Sequence, residues 1–203
     1  MTGVQTCALP ISPARAPRAG AKVIAVSTVH GALIDPEGLD VERLIELRAE
    51  HGDRLVEHGD SPSRPREELF ELGCDVLVPG ARPDSLTVEL ARRGRWAVVA
   101  PGANVPYAAG ALDVLHGRGI LAIPDFVSNS GGVHLYESVA DSSDPAKALT
   151  TIEGLVYAAV ERVLARADEQ RTTPMAAALA DSRSYLEGET GAEPAVLDEL
   201  FRG

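Results

Sequence analysis

The chain has 203 residues, a formal net charge of −11, 45% hydrophobic residues and two cysteines. That is enough for one or two domains with a core, and no apolar run approaches the ~20 residues that a membrane span needs. The acidic balance opposes a nucleic-acid surface, because phosphate recognition draws on clustered Lys and Arg. Neither a nucleic acid nor a membrane is therefore expected as a partner. The five histidines are scattered, none at zinc-site spacing from cysteine or carboxylate, so no metal site is expected.

Taken in chain order, the first segment stands apart. Residues 2–11, TGVQTCALPI, are the translation of ACT GGA GTT CAG ACG TGT GCT CTT CCG ATC, which matches a common sequencing-library adapter, with Met1 from a GTG start. A targeting peptide would instead open with a basic region and an unbroken apolar stretch, and Pro10 breaks this one. Residues 1–12 are read as a non-native tail of a truncated gene, with no packing role. Setting Cys7 aside leaves Cys74, which excludes a disulfide framework and points to the cytoplasm.

From there the chain alternates. Residues 14–18 read as a helix end capped by Gly20, and 22–26 as a strand. Residues 31–38 form a turn or small hairpin. Asp40 caps a helix over 41–50 that turns Leu44, Ile45 and Leu47 toward the core. Residues 51–66 are polar and read as a surface loop. A short helix over 67–72, a strand over 75–78 closed by Pro79-Gly80, and a helix over 85–93 capped by Asp84 or Ser85 follow. The run Ala97-Val98-Val99-Ala100 has no polar face, so it suits a parallel strand covered on both sides. A helix over 108–116 and a strand over 120–123 come next. Beyond Gly131 the pattern is helical over 133–139, 146–167 and 175–186, with an acidic break at 141–144 and a weakly specified tail beyond Gly188.

Two loops carry the chemistry. Each closes a buried strand, as Gly102-Ala103-Asn104-Val105-Pro106 and as Pro124-Asp125-Phe126-Val127-Ser128-Asn129-Ser130-Gly131-Gly132-Val133. Ligands of open parallel sheets bind beyond the carboxyl ends of the strands, where these loops fall. Asn104 and Asn129 stand at those ends, where Asn often serves as a turn residue stabilising its own backbone. Asp125, beside Pro124, reads as a loop or capping acid and not as a base.

This pair of loops closely resembles the nucleotide-binding domain of the glutamate/leucine/phenylalanine/valine dehydrogenases, whose members carry G-A-N-x-P after one strand and P-D-x-x-x-N-x-G-G-V after the next. AKVIAVS, GALIDPEGLD and CDVLVPGA are similar to the family's segments in the same order. The resemblance covers residues 20–133, with a looser helical match to Leu186.

What the resemblance implies is a partial Rossmann-like α/β fold, a doubly wound parallel sheet followed by C-terminal helices. The family opens this domain with a strand and G-x-G-x-x-G, in which glycines let the backbone reach a pyrophosphate. No such motif occurs here, so residues 22–26 read as the second strand and the first strand with its glycine loop is missing. In the order 3-2-1-4-5-6 that loss leaves a gap at the centre of the sheet. The domain boundaries expected are 1–12 for the tail, 13–140 for the partial nucleotide domain, 141–188 for helices packing on the family's domain interface and 189–203 for a weakly ordered tail.

The implied reaction is NAD- or NADP-dependent oxidative deamination of an L-amino acid to a 2-oxo acid and ammonia. Ser27, Thr28, Gly80, Ala81, Gly102, Asn104 and Asn129 are the implied cofactor-binding residues, and Val133 and Tyr136 the substrate-binding ones. At the end of the second strand Ser27-Thr28-Val29-His30 carries neither acid nor Arg, so it selects neither NAD nor NADP. Tyr136 stands where glutamate-specific relatives carry Ser, which makes an aliphatic or aromatic substrate at least as suitable as glutamate. The family's catalytic lysines and proton-relaying Asp lie in a separate N-terminal domain, and the only lysines here, Lys22 and Lys147, match neither position. No catalytic residue is therefore expected in this chain, and it should be inactive alone. Full-length members assemble as homo-oligomers. Two other readings stay open: a stand-alone nucleotide-binding or interaction module without catalysis, and another Rossmann-type oxidoreductase.

Overall fold

The computed structural model describes residues 3–6, 20–135 and 144–190. It divides into two compact units, Met1–Asn129 and Ser130–Gly203.

The first unit is built on β1 (Gly3–Thr6), β2 (Lys22–Thr28), β3 (Gly31–Ile34), β4 (Gly73–Val78), β5 (Arg95–Val99) and β6 (Leu121–Ala122). They form one sheet in the order β3-β2-β1-β4-β5-β6, antiparallel between β2 and β3 and parallel elsewhere. The mixed α/β, Rossmann-type architecture agrees with the sequence reading. The gap at its centre does not. Gly3–Thr6, expected to pack nowhere, lies between β2 and β4, with Val4 opposite Val23 on one side and Val76 on the other. The physical reason is that two strand edges facing an empty slot present unpaired N–H and C=O groups, and a short extended segment satisfies both rows at once. Pairing with β2 slips between Val4 and Gln5. The glycine loop is still missing from the sequence that follows.

The hairpin expected near residue 31 forms, with Ala25 opposite Ile34 and Thr28 opposite Gly31. Gly31 has φ 145°, and a Cβ there would strike Ser63 Oγ and the Arg64 carbonyl, which pairs with Ala32. Only glycine fits that approach. Helix α1 (Val41–His51) is capped by Asp40, whose carboxylate accepts from Arg43 N–H at 3.1 Å. Leu44 and Leu47 are buried as expected, whereas Ile45 is 41% exposed. The polar stretch after it is not simply a surface loop. Gly52–Glu57 makes a 3-10 turn that buries Leu55 and Val56 with Val23, Val26 and Leu33.

A second 3-10 turn, Arg66–Glu71, replaces the short helix expected there, and α2 (Val88–Arg93) starts later than expected because Thr87, not Asp84 or Ser85, caps it. Leu86 instead bridges to Tyr107. Leu69, Leu77, Leu86, Trp96, Val99 and Leu115 form the main core. The strand expected to be covered on both faces is not: in β5 Trp96 and Val99 are buried but Ala97 is exposed. Helices α3 (Ala111–Gly117) and α4 (Asp125–Ser128) follow β5 and β6.

In the second unit, residues 131–135 are helical, and α5 (Pro145–Glu169) and α6 (Pro174–Thr190) extend past the expected bounds. Asp144 caps α5, accepting from Ala146 N–H at 3.0 Å. Val163, Ala167, Ala177 and Ala178 are buried, and Arg166 pairs with Asp181. No described helix is long and apolar enough to cross a membrane.

Candidate functional site

Backbone bonds tie together the loops that leave the carboxyl ends of β4, β5 and β6. Gly102 and Ala103 donate to the Pro79 carbonyl at 3.0 and 3.1 Å, and Ser128 Oγ donates to the Pro101 carbonyl at 2.7 Å. Val105 has φ 49°, a left-handed conformation that a β-branched residue adopts only when its surroundings impose it. Two bonds impose it here: its N–H donates to Asp125 Oδ2 at 2.8 Å, and its carbonyl accepts from Asp84 N–H at 2.9 Å. Asp125 thus spends its carboxylate on shaping the preceding loop, in keeping with its reading as a loop acid.

That shape brings the two candidate asparagines together. Asn129 Nδ2 donates to Asn104 Oδ1 at 2.6 Å across 25 residues of sequence. Asn129 is the C-cap of α4, its N–H bonded to the Asp125 carbonyl at 2.8 Å, which sets the direction of its side chain. Among the described residues the pair leaves a donor on Asn104 Nδ2 and an acceptor on Asn129 Oδ1 without a partner. Below them Tyr107 donates to the Ile123 carbonyl at 2.7 Å, and burial first, then the charge of Asp125, holds its phenol far above the usual tyrosine range.

A cavity of about 570 Å³ opens at the carboxyl ends of β2 and β4, and Ser27, Thr28, Gly80 and Ala81 line it. Its size lies within the usual range of small-molecule sites, roughly 300–1,000 Å³. The wall is apolar at Val26, Leu44 and Phe70. Ser85 also lines it, and among the described residues its buried Oγ has no hydrogen-bond partner. The Thr28 hydroxyl is already committed, donating to the Asp53 carbonyl at 2.7 Å and accepting from His30 N–H at 3.1 Å.

Arg48 and Asp53 escaped the sequence reading, and Ser85 entered it only as a candidate helix cap. None carries a local signal, since α1, the first 3-10 turn and the loop after β4 meet only in the folded unit. Gly102 is exposed beside Asn104. Val133 is 66% exposed in the second unit, and Tyr136 lies outside the described residues. Lys22 opens β2 at the strand end opposite the cavity, and Lys147 lies on α5 in the second unit. No group of three or more His, Cys, Asp or Glu able to hold a metal occurs among the described residues.

Comparison with known proteins gives the same picture. The chain is 42% identical over 114 residues to a glutamate dehydrogenase of Thermotoga maritima, and 39% identical over 114 residues to an NAD-specific glutamate dehydrogenase of Staphylococcus aureus. Those matches take in 56% of this chain and 27% of each relative, so it spans about a quarter of their length. Among solved structures, it superposes on a hetero-hexameric glutamate dehydrogenase from Thermus thermophilus with a TM-score of 0.75 at 28% identity, over 88% of this chain and 44% of that one. An L-tryptophan dehydrogenase from Nostoc punctiforme, TM-score 0.64 at 20% identity over 87% of this chain and 49% of its own, shares the fold. The family described as Glutamate/Leucine/Phenylalanine/Valine dehydrogenase matches residues 14–186, most of the chain, and it is to this family that the chain belongs.

Proposed function

We propose that this chain supplies part of the cofactor domain of a glutamate dehydrogenase-like enzyme, whose complete form converts an L-amino acid, water and oxidised NAD or NADP to a 2-oxo acid, ammonia, the reduced cofactor and a proton. The observation that carries this reading is the Asn104–Asn129 pair at the carboxyl ends of β5 and β6. Its open donor and acceptor complement the two halves of a carboxamide. When bound, the nicotinamide would supply the hydride acceptor.

The residues present fit such a group. The cavity joins an apolar wall to Ser27 and to the unpartnered Ser85 hydroxyl, a combination suited to an adenosine. We assign Gly80 and Ala81, which line that cavity, and Gly102, near Asn104 in sequence, to the nicotinamide ribose. Val133 and Tyr136 are assigned to the substrate side chain, with an aliphatic or aromatic amino acid at least as suitable as glutamate. The family's lysine chemistry, in which burial lowers an amine's pKa so that it activates water, has no counterpart beside the cavity, because neither lysine lies there. We assign that step to a separate domain of the intact protein, and read that protein as a cytoplasmic homo-oligomer.

The purified chain tests this directly. It should bind NADH, seen as a change in nicotinamide fluorescence, yet reduce neither NAD nor NADP with glutamate, leucine, valine or phenylalanine. Turnover above a no-enzyme control would place the catalytic groups within this chain and overturn the assignment.

A further inference from the structure

We infer that the Arg48–Asp53 pair, and not the tip of β2, sets the choice between NAD and NADP, and sets it toward NAD. The inference rests on reading the cavity as the cofactor site. In doubly wound nucleotide folds an acidic residue beyond the second strand accepts from the adenosine ribose, whereas a nearby Arg accommodates a 2′-phosphate. Beyond β2 this chain has Val29 and His30, which do neither.

The folded unit brings the missing acid from elsewhere. Asp53, at the start of the 3-10 turn after α1, lines the cavity together with Ser27, and its carbonyl accepts the Thr28 hydroxyl, which fixes it against the end of β2. The same bond removes Thr28 as a donor to phosphate. Asp53 Oδ1 holds the Arg48 guanidinium, and among the described residues Oδ2 has no hydrogen-bond partner. The Asp53 side chain is 50% exposed and that of Arg48 25%, so the carboxylate is the more open of the two.

A ribose with a free 2′-hydroxyl can donate to Asp53 Oδ2. A 2′-phosphate, with about −1.5 to −2 charges at neutral pH, meets Asp53 as a like charge. Of the arginines lining the cavity, Arg48 is held by Asp53, Arg66 by Glu67 and Arg93 by Glu89, while Arg82 lies on the loop after β4. Asp53→Asn removes the repulsion and releases Arg48, whose fork then suits a phosphate.

The test compares 5′-AMP with adenosine 2′,5′-bisphosphate, two ligands that differ only at the 2′ position, by calorimetric titration of the 203-residue chain. Unvaried protein should prefer 5′-AMP. Asp53→Asn should shift the ratio of affinities toward the bisphosphate by about ten-fold or more, as expected for a charge-assisted contact. Asp53→Asn with Arg48→Met should lose that gain, and unchanged thermal unfolding would show that both variants keep the fold. If both nucleotides bind and Asp53→Asn leaves the ratio unchanged, the pair is not the determinant while the cavity remains the nucleotide site. If neither nucleotide binds, the reading of the cavity fails and this inference falls with it.

Discussion

Asn129 donates its side-chain amide to the side-chain carbonyl of Asn104, at 2.6 Å, joining the ends of two neighbouring parallel strands. The bond orients each amide by the other and leaves one donor and one acceptor pointing away from it. Asn104 is exposed, so the bond adds little to folding on its own.

Asn129→Ala and Asn104→Ala should therefore act on NADH binding more than on stability. Each is expected to weaken binding by about 1–3 kcal/mol where a polar cofactor group is left unpaired, and to cost under ~1 kcal/mol in folding. The double variant should weaken binding by less than the sum of the two, since each single change already disorients its partner. A large drop in melting temperature with unchanged NADH affinity would assign the pair to the turns alone.

Disrupting β1 should unfold the first unit. Gln5 lies opposite Ala25 of β2 and Leu77 of β4, at the centre of the sheet, where Pro cannot donate to the ladder. Gln5→Pro is expected to cost about 3 kcal/mol or more, and removal of residues 1–6 at least as much. Urea unfolding decides the matter. Unchanged stability after either alteration would mean that Gly3–Thr6 has no part in the sheet, as its sequence suggested.

Asp125 and Val105 make a coupled pair of opposite sign. Asp125→Ala removes the acceptor of the Val105 N–H, and should destabilise by about 1–3 kcal/mol. Val105→Gly relieves the left-handed backbone and should stabilise, or cost less than ~0.5 kcal/mol, despite glycine's greater freedom in the unfolded chain. Loss of more than about 2 kcal/mol from Val105→Gly would show that its side chain, 60% exposed, does more than the strain costs.

His116 gives the fold a pH dependence. Burial lowers its pKa below the ordinary 6.5, against the opposing charge of Asp113, and its Nε2 is buried without a partner. Between the lowered folded value and 6.5 the unfolded chain binds more protons, so stability declines as pH falls through about 6.5 and levels off below the folded value. His116→Gln should flatten that part of the curve. Denaturant midpoints at about pH 7 and pH 5.5 for both proteins measure it, and parallel loss in the two would assign the dependence to other groups.

Much of this protein was determined by sequence alone, because local patterns report local choices. The apolar runs in β2, β4 and β5, the Asp40 cap and the Pro-Gly and Gly-Ala-Asn loop signals specify where strands end and chains turn, and the family follows from those loops. Tertiary structure decided what no local pattern carries. Ile45 has the helical spacing of a core residue but faces the cavity edge, and the polar 51–66 stretch hides Leu55 and Val56 because a 3-10 turn folds them against β2. Gly3–Thr6 became the central strand because backbone pairing depends on an open slot and extended shape and hardly on side-chain identity. Asn104 meets Asn129 once parallel strands bring their carboxyl ends to one edge, and Asp53 meets Thr28 once α1 folds back against β2, each contact spanning 25 residues.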